Sequence, residues 1–398
     1  FLAMAYIIAV NPNMLMVAGV PFDAALTATC FGAAIMTIAM GLIANRPIAL
    51  ASGMGINAIV AYTLCLGGAA VDWRVAMAIV FLEGIVILIL VACGLRKAVM
   101  DAIPVSLRHA IGIGIGLFIA FIGLKGGGII VANESTILGL GDLSTPVAIV
   151  SLIAIAVAVV LQVLNVKGGL LISIIVATIA GIPLGVTPLP SSWSFGLDFS
   201  AFAAPFQTIP GTDTMAIAQV FLQPALLLFV FSLLMSDFFD TMGTVVAVGE
   251  QADFVDEDGD VKDIQPILMV DSAAAAVGGL VGASSITSFV ESTSGAAAGA
   301  RTGLSNLVVG ILFVIFAFAS PIIGMVSSSA TCGALVVVGY LMLSDVINID
   351  WTRIEFAFPA FATIMGIPMT YSITNGIGFG FISYCVIMLV TGKAREVK

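Results

Sequence analysis

Apolar runs of about 20 residues follow one another along almost the whole chain, separated by short breaks rich in Gly, Pro and polar residues. Each run is long enough to cross the roughly 30 Å of hydrocarbon in a bilayer. The pattern predicts helical segments over 2–18, 24–44, 48–66, 74–95, 105–124, 146–165, 168–185, 215–248, 264–283, 286–303, 305–325, 329–347, 355–369 and 371–392, fourteen in all. Inside lipid every backbone polar group must be satisfied internally, which leaves helices or closed barrels. The two-residue alternation of a transmembrane barrel strand is missing, so an all-α polytopic membrane protein is expected.

The third and tenth segments break the pattern. "ALASGMGINAIVAY" and "GASSITSFVESTSGAAAG" are short, polar and rich in Gly, Ser or Thr. They hold the same place in two halves of seven, and an odd number per half requires the halves to be inverted. Glycine-interrupted segments at matching positions of inverted repeats mark the binding site of many transporters. A polar connector over 186–214, with Asp198 and Asp213 but no Lys or Arg, joins the halves.

Charge placement supports the count. With a cytoplasmic N-terminus, Arg46, Arg96, Lys97, Arg108, Lys167, Lys262, Arg301, Arg353, Lys393, Arg395 and Lys398 fall inside, and only Arg74 and Lys125 fall outside. That is a strong positive-inside bias, which one missed helix would destroy. Composition agrees: 61% of residues are hydrophobic and 9% charged, against about 25% charged in soluble domains. The net charge of −10 comes mostly from a few loops, and no basic patch suggests nucleic acid. Cys30, Cys65, Cys93, Cys332 and Cys385 lie in apolar segments without metal spacing. The chain opens at Phe1, already inside an apolar segment, so residues preceding it are expected.

Most acids have ordinary explanations. "DFVDEDGDVKD" (253–263) is a solvated loop, because its acids lack the alternating spacing of a calcium loop. Asp142, Asp345, Asp350 and Glu355 sit at segment ends, and His109 beside Arg108 reads as an interfacial residue. Glu83, Asp237, Asp240 and Glu291 lie within apolar segments, where an acid costs roughly 2.5–3.5 kcal/mol and faces a cavity or a partner. Asp237 and Asp240, three apart, share a helix face. Glu291 lies in the tenth segment, so a pocket between segments eight and ten would set Asp240 opposite Glu291. In the third segment Gly53 and Gly55 permit non-helical backbone, and Asn57 offers an amide. If both broken segments are part extended and part helical, their helix N-termini point into one midplane site. Carboxylates, an amide and free N–H groups suit a flat, neutral, hydrogen-bonding heterocycle better than a bare anion. No nucleophile–base pair or metal cluster suggests an enzyme, and no cofactor is expected.

The stretches "AMAYIIAVNPNML", "GLIANRPIALASGMGINA", "AIPVSLRHAIGIGIGLFIAFIGLK", "DFFDTMGT", "LMVDSAAAAVGGLVGASSITSFVESTSGAAAGARTGL" and "PMTYSITNGIGFGFISY" together resemble the AzgA-like hypoxanthine/guanine/adenine permeases. These are a branch of the nucleobase–cation symporter (nucleobase–ascorbate transporter) family, and the likeness runs from residue 3 to about 392. It implies fourteen segments as two inverted repeats of seven, with short strands in segments three and ten. It also implies a core domain of segments one to four and eight to eleven and a gate domain of the rest, moving as an elevator within a homodimer. The corresponding divisions are 1–104, 105–185, the connector 186–214, 215–325 and 326–398. The resemblance assigns Asp240 and Glu291 to nucleobase binding, with Gly55 and Asn57, and Phe289 and Val290 adjoin Glu291 in that set. It ties Asp271 to transport. Thr244 stands where relatives carry a His or Asp linked to coupling, which leaves Glu83, Asp237 and Asp271 as coupling or supporting acids. Ser52-Gly53 replaces the usual Pro-Gly, and Gly299-Ala300-Arg301 the usual Gly-Gly-Arg.

The expected activity is import of a purine base across the plasma membrane, driven by protons or, alternatively, sodium, with both termini cytoplasmic. The competing expectation is a carrier of the same fold for xanthine, uracil, or an inorganic or organic anion.

Overall fold

The computed structural model of the protein describes residues 1–67, 69–94, 104–190, 193, 196–255 and 261–393. Arg96, Lys97, Arg395, Lys398 and the acids at 256–260, all placed in loops or tails from sequence, lie outside these.

Helices dominate. In chain order they are α1 (Ile7–Val17), α2 (Phe22–Ala39, extended by a π turn to Ala44), α3 (Met54–Ala58, extended by a π stretch to Cys65), α4 (Trp73–Ala92) and α5 (Val105–Gly126). Next come α6 (Pro146–Val163), α7 (Gly169–Gly181), α8 (Ala216–Leu222), α9 (Ala225–Gln251), α10 (Ile264–Val281) and α11 (Ser292–Ala297). The last are α12 (Leu304–Ala317), α13 (Ser320–Ile323), α14 (Ser328–Met342), α15 (Ile354–Thr370) and α16 (Ile373–Val390). Among the described residues eight helices are long and apolar enough to cross a membrane, and five further apolar helices are shorter. The predicted eighth segment is two helices, because Pro224 lacks the N–H that would continue α8 into α9.

Among the described residues four short strands interrupt this: β1 (Leu50–Ser52), β2 (Ile130–Asn133), β3 (Ile137–Leu140) and β4 (Ile286–Ser288). β2 and β3 form an antiparallel hairpin where the sequence suggests only a connection. Its turn closes on Asn133 Oδ1, which accepts from the N–H groups of Ser135 and Thr136, a side-chain turn that hydrophobic periodicity does not register.

The helices pack in two sets. α4 lies against α9 and α10, and α2 against α1, α10 and α12. Separately, α5 packs on α14 and α15, α6 on α7 and α14, and α15 on α16. Close approaches use small residues, as membrane helix contacts do. At Gly84 of α4 a Cβ would stand 2.1 Å from the Ala276 backbone nitrogen of α10, so only glycine fits. Ion pairs gather at segment ends: Arg46–Asp263 at 3.2 Å, Arg301–Asp253 at 3.3 Å and Lys393–Glu355 at 2.6 Å. His109 lies 3.7 Å from Asp345, also at segment ends.

Candidate functional site

The two broken segments meet through their strands. β1 and β4 pair antiparallel, with Leu50 opposite Ser288, Ala51 opposite Thr287 and Ser52 opposite Ile286. Further bonds pin the crossing. Phe289 N–H donates to Ala49 C=O (2.9 Å), Ala49 N–H to Ser292 Oγ (3.0 Å), and Gly53 N–H to Ser285 C=O (2.9 Å). From α2, Thr37 Oγ1 both donates to Leu50 C=O and accepts from its N–H, each at 2.9 Å. An extended stretch in apolar surroundings leaves its backbone groups unsatisfied unless something pairs them, and here each break satisfies the other.

Asp271 of α10 locks the crossing to α9. Its carboxylate accepts from Ser288 N–H (2.9 Å), Ser288 Oγ–H (2.7 Å) and Thr241 Oγ1–H (2.6 Å), with Thr287 Oγ1 at 3.5 Å. Thr241 and Thr287 also bond each other at 3.0 Å. Asp271 is almost wholly buried and therefore acts through the strand it positions.

Glu291 lies three residues beyond this strand, at the N-cap of α11, and Tyr6 Oη, just before α1, donates to its Oε1 at 2.5 Å. Asp240 of α9 is near enough for its charge to interact with Glu291, Asp271 and Tyr6. It is exposed, as is Val290 (49%), and a Cβ added at Gly243 or Gly295 would meet nothing within 4 Å. The carboxylate cluster therefore faces open space. Phe289 is buried with its ring 6.5 Å from that of Tyr6. Gly55 touches the other helix set: a Cβ there would lie 2.9 Å from Ile115 Cγ2 of α5. Asn57 is fully buried; its Nδ2 donates weakly to Ser52 C=O (3.5 Å) and its Oδ1 has no partner.

The structure corrects the expectation that Asp237 and Asp240 share a face. Asp237 is 1% exposed and lies close to the fully buried Glu83 of α4, while Asp240 is exposed. Positions three apart differ by about 60° around a helix, enough to turn one acid into the packed interior and the other toward open space. Thr244 is buried one turn beyond Asp240.

Tyr6, Thr241, Thr287 and Ser288 are absent from the sequence-derived set. Tyr6 offers no local signal, since its partner lies 285 residues away. A cavity of about 900 Å³ lies elsewhere, lined by residues including Tyr62, Thr63, Lys125, Phe229, Tyr371 and Asn375 but by neither Asp240 nor Glu291. Among the described residues no group of three metal-ligating side chains occurs.

Comparison with known proteins gives this arrangement its relatives. The family described as Xan_ur_permease, permease family, matches residues 1–379. A putative permease of Methanocaldococcus jannaschii is 41% identical over all of this chain and 89% of its own length. The guanine/hypoxanthine permease PbuO of Bacillus subtilis is 39% identical (100% and 91% covered), and the adenine permease AdeQ of Escherichia coli 36% (100% and 87%). The transmembrane domain of the cyanobacterial bicarbonate transporter BicA superposes with a TM-score of 0.66 at 15% identity, covering 94% of each chain. SLC26A9 superposes with a TM-score of 0.67 at 13% identity, covering 98% of this chain and 64% of its own.

Proposed function

Because the chain belongs to the Xan_ur_permease family, whose members similar to it include adenine and guanine/hypoxanthine permeases, we propose that it imports purine nucleobases by proton symport. The observation that carries this reading is the acceptor pair of Glu291 and Asp240 beside the β1–β4 crossing, the first partly exposed and the second exposed. Glu291 and Asp240 accept hydrogen bonds from ring and exocyclic N–H groups. Phe289 and Val290 supply apolar contact, and Asn57 and Gly55 complete the wall. Two neighbouring carboxylates disfavour an anion and favour a neutral donor-rich heterocycle.

Fourteen crossings in two inverted sevens account for two broken segments that pair antiparallel at their strands. In the elevator mechanism 1–104 and 215–325 form the moving core, and 105–185 and 326–398 the gate. The Gly55–Ile115 contact then lies on the sliding surface. The protein acts as a homodimer in the plasma membrane, with cytoplasmic termini. Coupling rests on the acids, since Thr244 cannot titrate; Asp240 and Glu291 exchange protons with the occupied site, and Glu83, Asp237 and Asp271 support it. Glu291→Gln or Asp240→Asn should each abolish concentrative, uncoupler-sensitive uptake of radiolabelled hypoxanthine. Near-normal uptake in either variant sinks the assignment.

A second reading, an anion carrier, draws on the shared fold with a bicarbonate transporter. Excess bicarbonate or sulfate should leave labelled hypoxanthine uptake unchanged, whereas unlabelled purines should compete.

A further inference from the structure

The 900 Å³ cavity is a built space that the carboxylate site does not use. One wall comes from α1, the π stretch after α3, and α9, through Val10, Asn13, Tyr62, Thr63 and Phe229. The other comes from α5, α14 and the α15–α16 junction, including Lys125, Thr331 and Tyr371. Phe229 precedes Asp240 by eleven residues of one helix, about 16 Å of rise. Between them Thr374 Oγ1 of α16 donates to Ser232 Oγ of α9 at 3.0 Å, tying the two helix sets together.

The polar groups of this cavity point to a ligand. Thr63 is 3% exposed, yet its Oγ1 has no hydrogen-bond partner, and neither has the buried Oη of Tyr371. Buried hydroxyls without partners are uncommon, because each costs about 1–3 kcal/mol. Tyr371 is also held at φ 53°, a region that bulky residues seldom adopt. Its ring meets Tyr62 edge-on at 5.9 Å and Phe118 at 5.0 Å, and Lys125 Nζ stands 4.7 Å from its centroid. No carboxylate lines the cavity among the described residues. The space therefore presents hydroxyl and ammonium donors between aromatic rings, where the carboxylate cluster presents acceptors.

We propose that this cavity is a second binding site, on the Lys125 side of the protein, for a planar heterocycle bearing a carbonyl oxygen or ring-nitrogen acceptor. In the purine reading, on which this rests, the occupant is an oxopurine such as hypoxanthine. Lys125 and the Thr63 and Tyr371 hydroxyls hold its acceptor edge, and Tyr62 packs on its face. At about 900 Å³ the cavity is in the range of small-molecule sites and has room for a base with bridging water. A base held here lies on the far side of the Ser232–Thr374 contact from Asp240.

The test is equilibrium binding of radiolabelled hypoxanthine to the purified full chain in nanodiscs. Wild-type protein should bind two equivalents, and the Asp240→Asn/Glu291→Gln double variant one. In that background Thr63→Val with Tyr371→Phe should weaken the remaining site about ten- to hundredfold, the loss of two neutral hydrogen bonds. Lys125 is exposed, so Lys125→Gln gives a second variant that perturbs packing little, and it should also weaken that site. A single equivalent in wild type, with none left in the double variant, overturns the inference while leaving the purine reading intact. Residual binding indifferent to Thr63, Tyr371 and Lys125, or displaced equally by inorganic sulfate, also overturns it. Wild-type protein that binds no purine refutes the function itself.

Discussion

Asp271→Ala tests whether the β1–β4 crossing is what shapes the carboxylate site. Asp271 is almost wholly buried and accepts from Ser288 N–H, Ser288 Oγ–H and Thr241 Oγ1–H within 2.6–2.9 Å. On truncation the hydroxyls can turn elsewhere: Thr241 already bonds Thr287. The Ser288 N–H cannot, since it belongs to the strand backbone. One orphaned buried donor costs about 1–3 kcal/mol, which the strand can lower only by shifting, and Glu291 lies three residues on. If that energy is felt at the site, the apparent affinity for hypoxanthine falls about 5- to 150-fold. Asp271→Asn keeps a carbonyl oxygen for Ser288 N–H and should recover most of the loss. The assay is labelled-hypoxanthine binding to purified protein, with thermal unfolding of each variant alongside. An Asp271→Ala protein that folds and binds with wild-type affinity refutes the reasoning, because the carboxylate would then be dispensable to the strand.

Two further outcomes follow from the same geometry. Tyr6→Phe removes the donor to Glu291 Oε1, so affinity measured by competition binding should weaken about three- to tenfold, the worth of one hydrogen bond, with membrane abundance unchanged; unaltered affinity would detach Tyr6 from the site. Glu83 is wholly buried close to Asp237 in the interior, so Glu83→Gln, which keeps its shape, should keep wild-type abundance and melting temperature. Glu83→Ala, which empties a fully buried position, should lower stability by about 1–3 kcal/mol, and equal melting temperatures for the two variants would count against that packing role.

The helices were legible because lipid-crossing runs announce themselves by length and apolarity, and α1, α2, α4 to α7, α10 and α14 to α16 lie within about five residues of their expected positions, while the expected segment 305–325 is split between α12 and α13. The two breaks were legible from their Gly, Ser and Thr content. Partnership was not. Periodicity gives the angle between Asp237 and Asp240 but not which of them turns inward; that depends on the helices packed against them. Tyr6 is a single hydroxyl in an apolar run, indistinguishable from a packing residue until Glu291 is brought to it from 285 positions away. The same holds at Thr63, whose unpaired hydroxyl acquires meaning only beside Tyr371 across the cavity.

What the structure adds is therefore the pairing itself. Each break, taken alone, would leave a strand's N–H and C=O groups unsatisfied in apolar surroundings, at a cost of several kcal/mol per group. Registered against each other, with Ala51 opposite Thr287, the two breaks remove that cost and set Gly53 and Glu291 at the two ends of one short ladder. The small residues that weaken both segments as helices are the ones that let them cross, so the composition that marks them in the sequence and the site they build have a single cause. It follows that a change confined to β4 reaches Asn57 and Gly55 through β1, although more than two hundred residues of chain separate them.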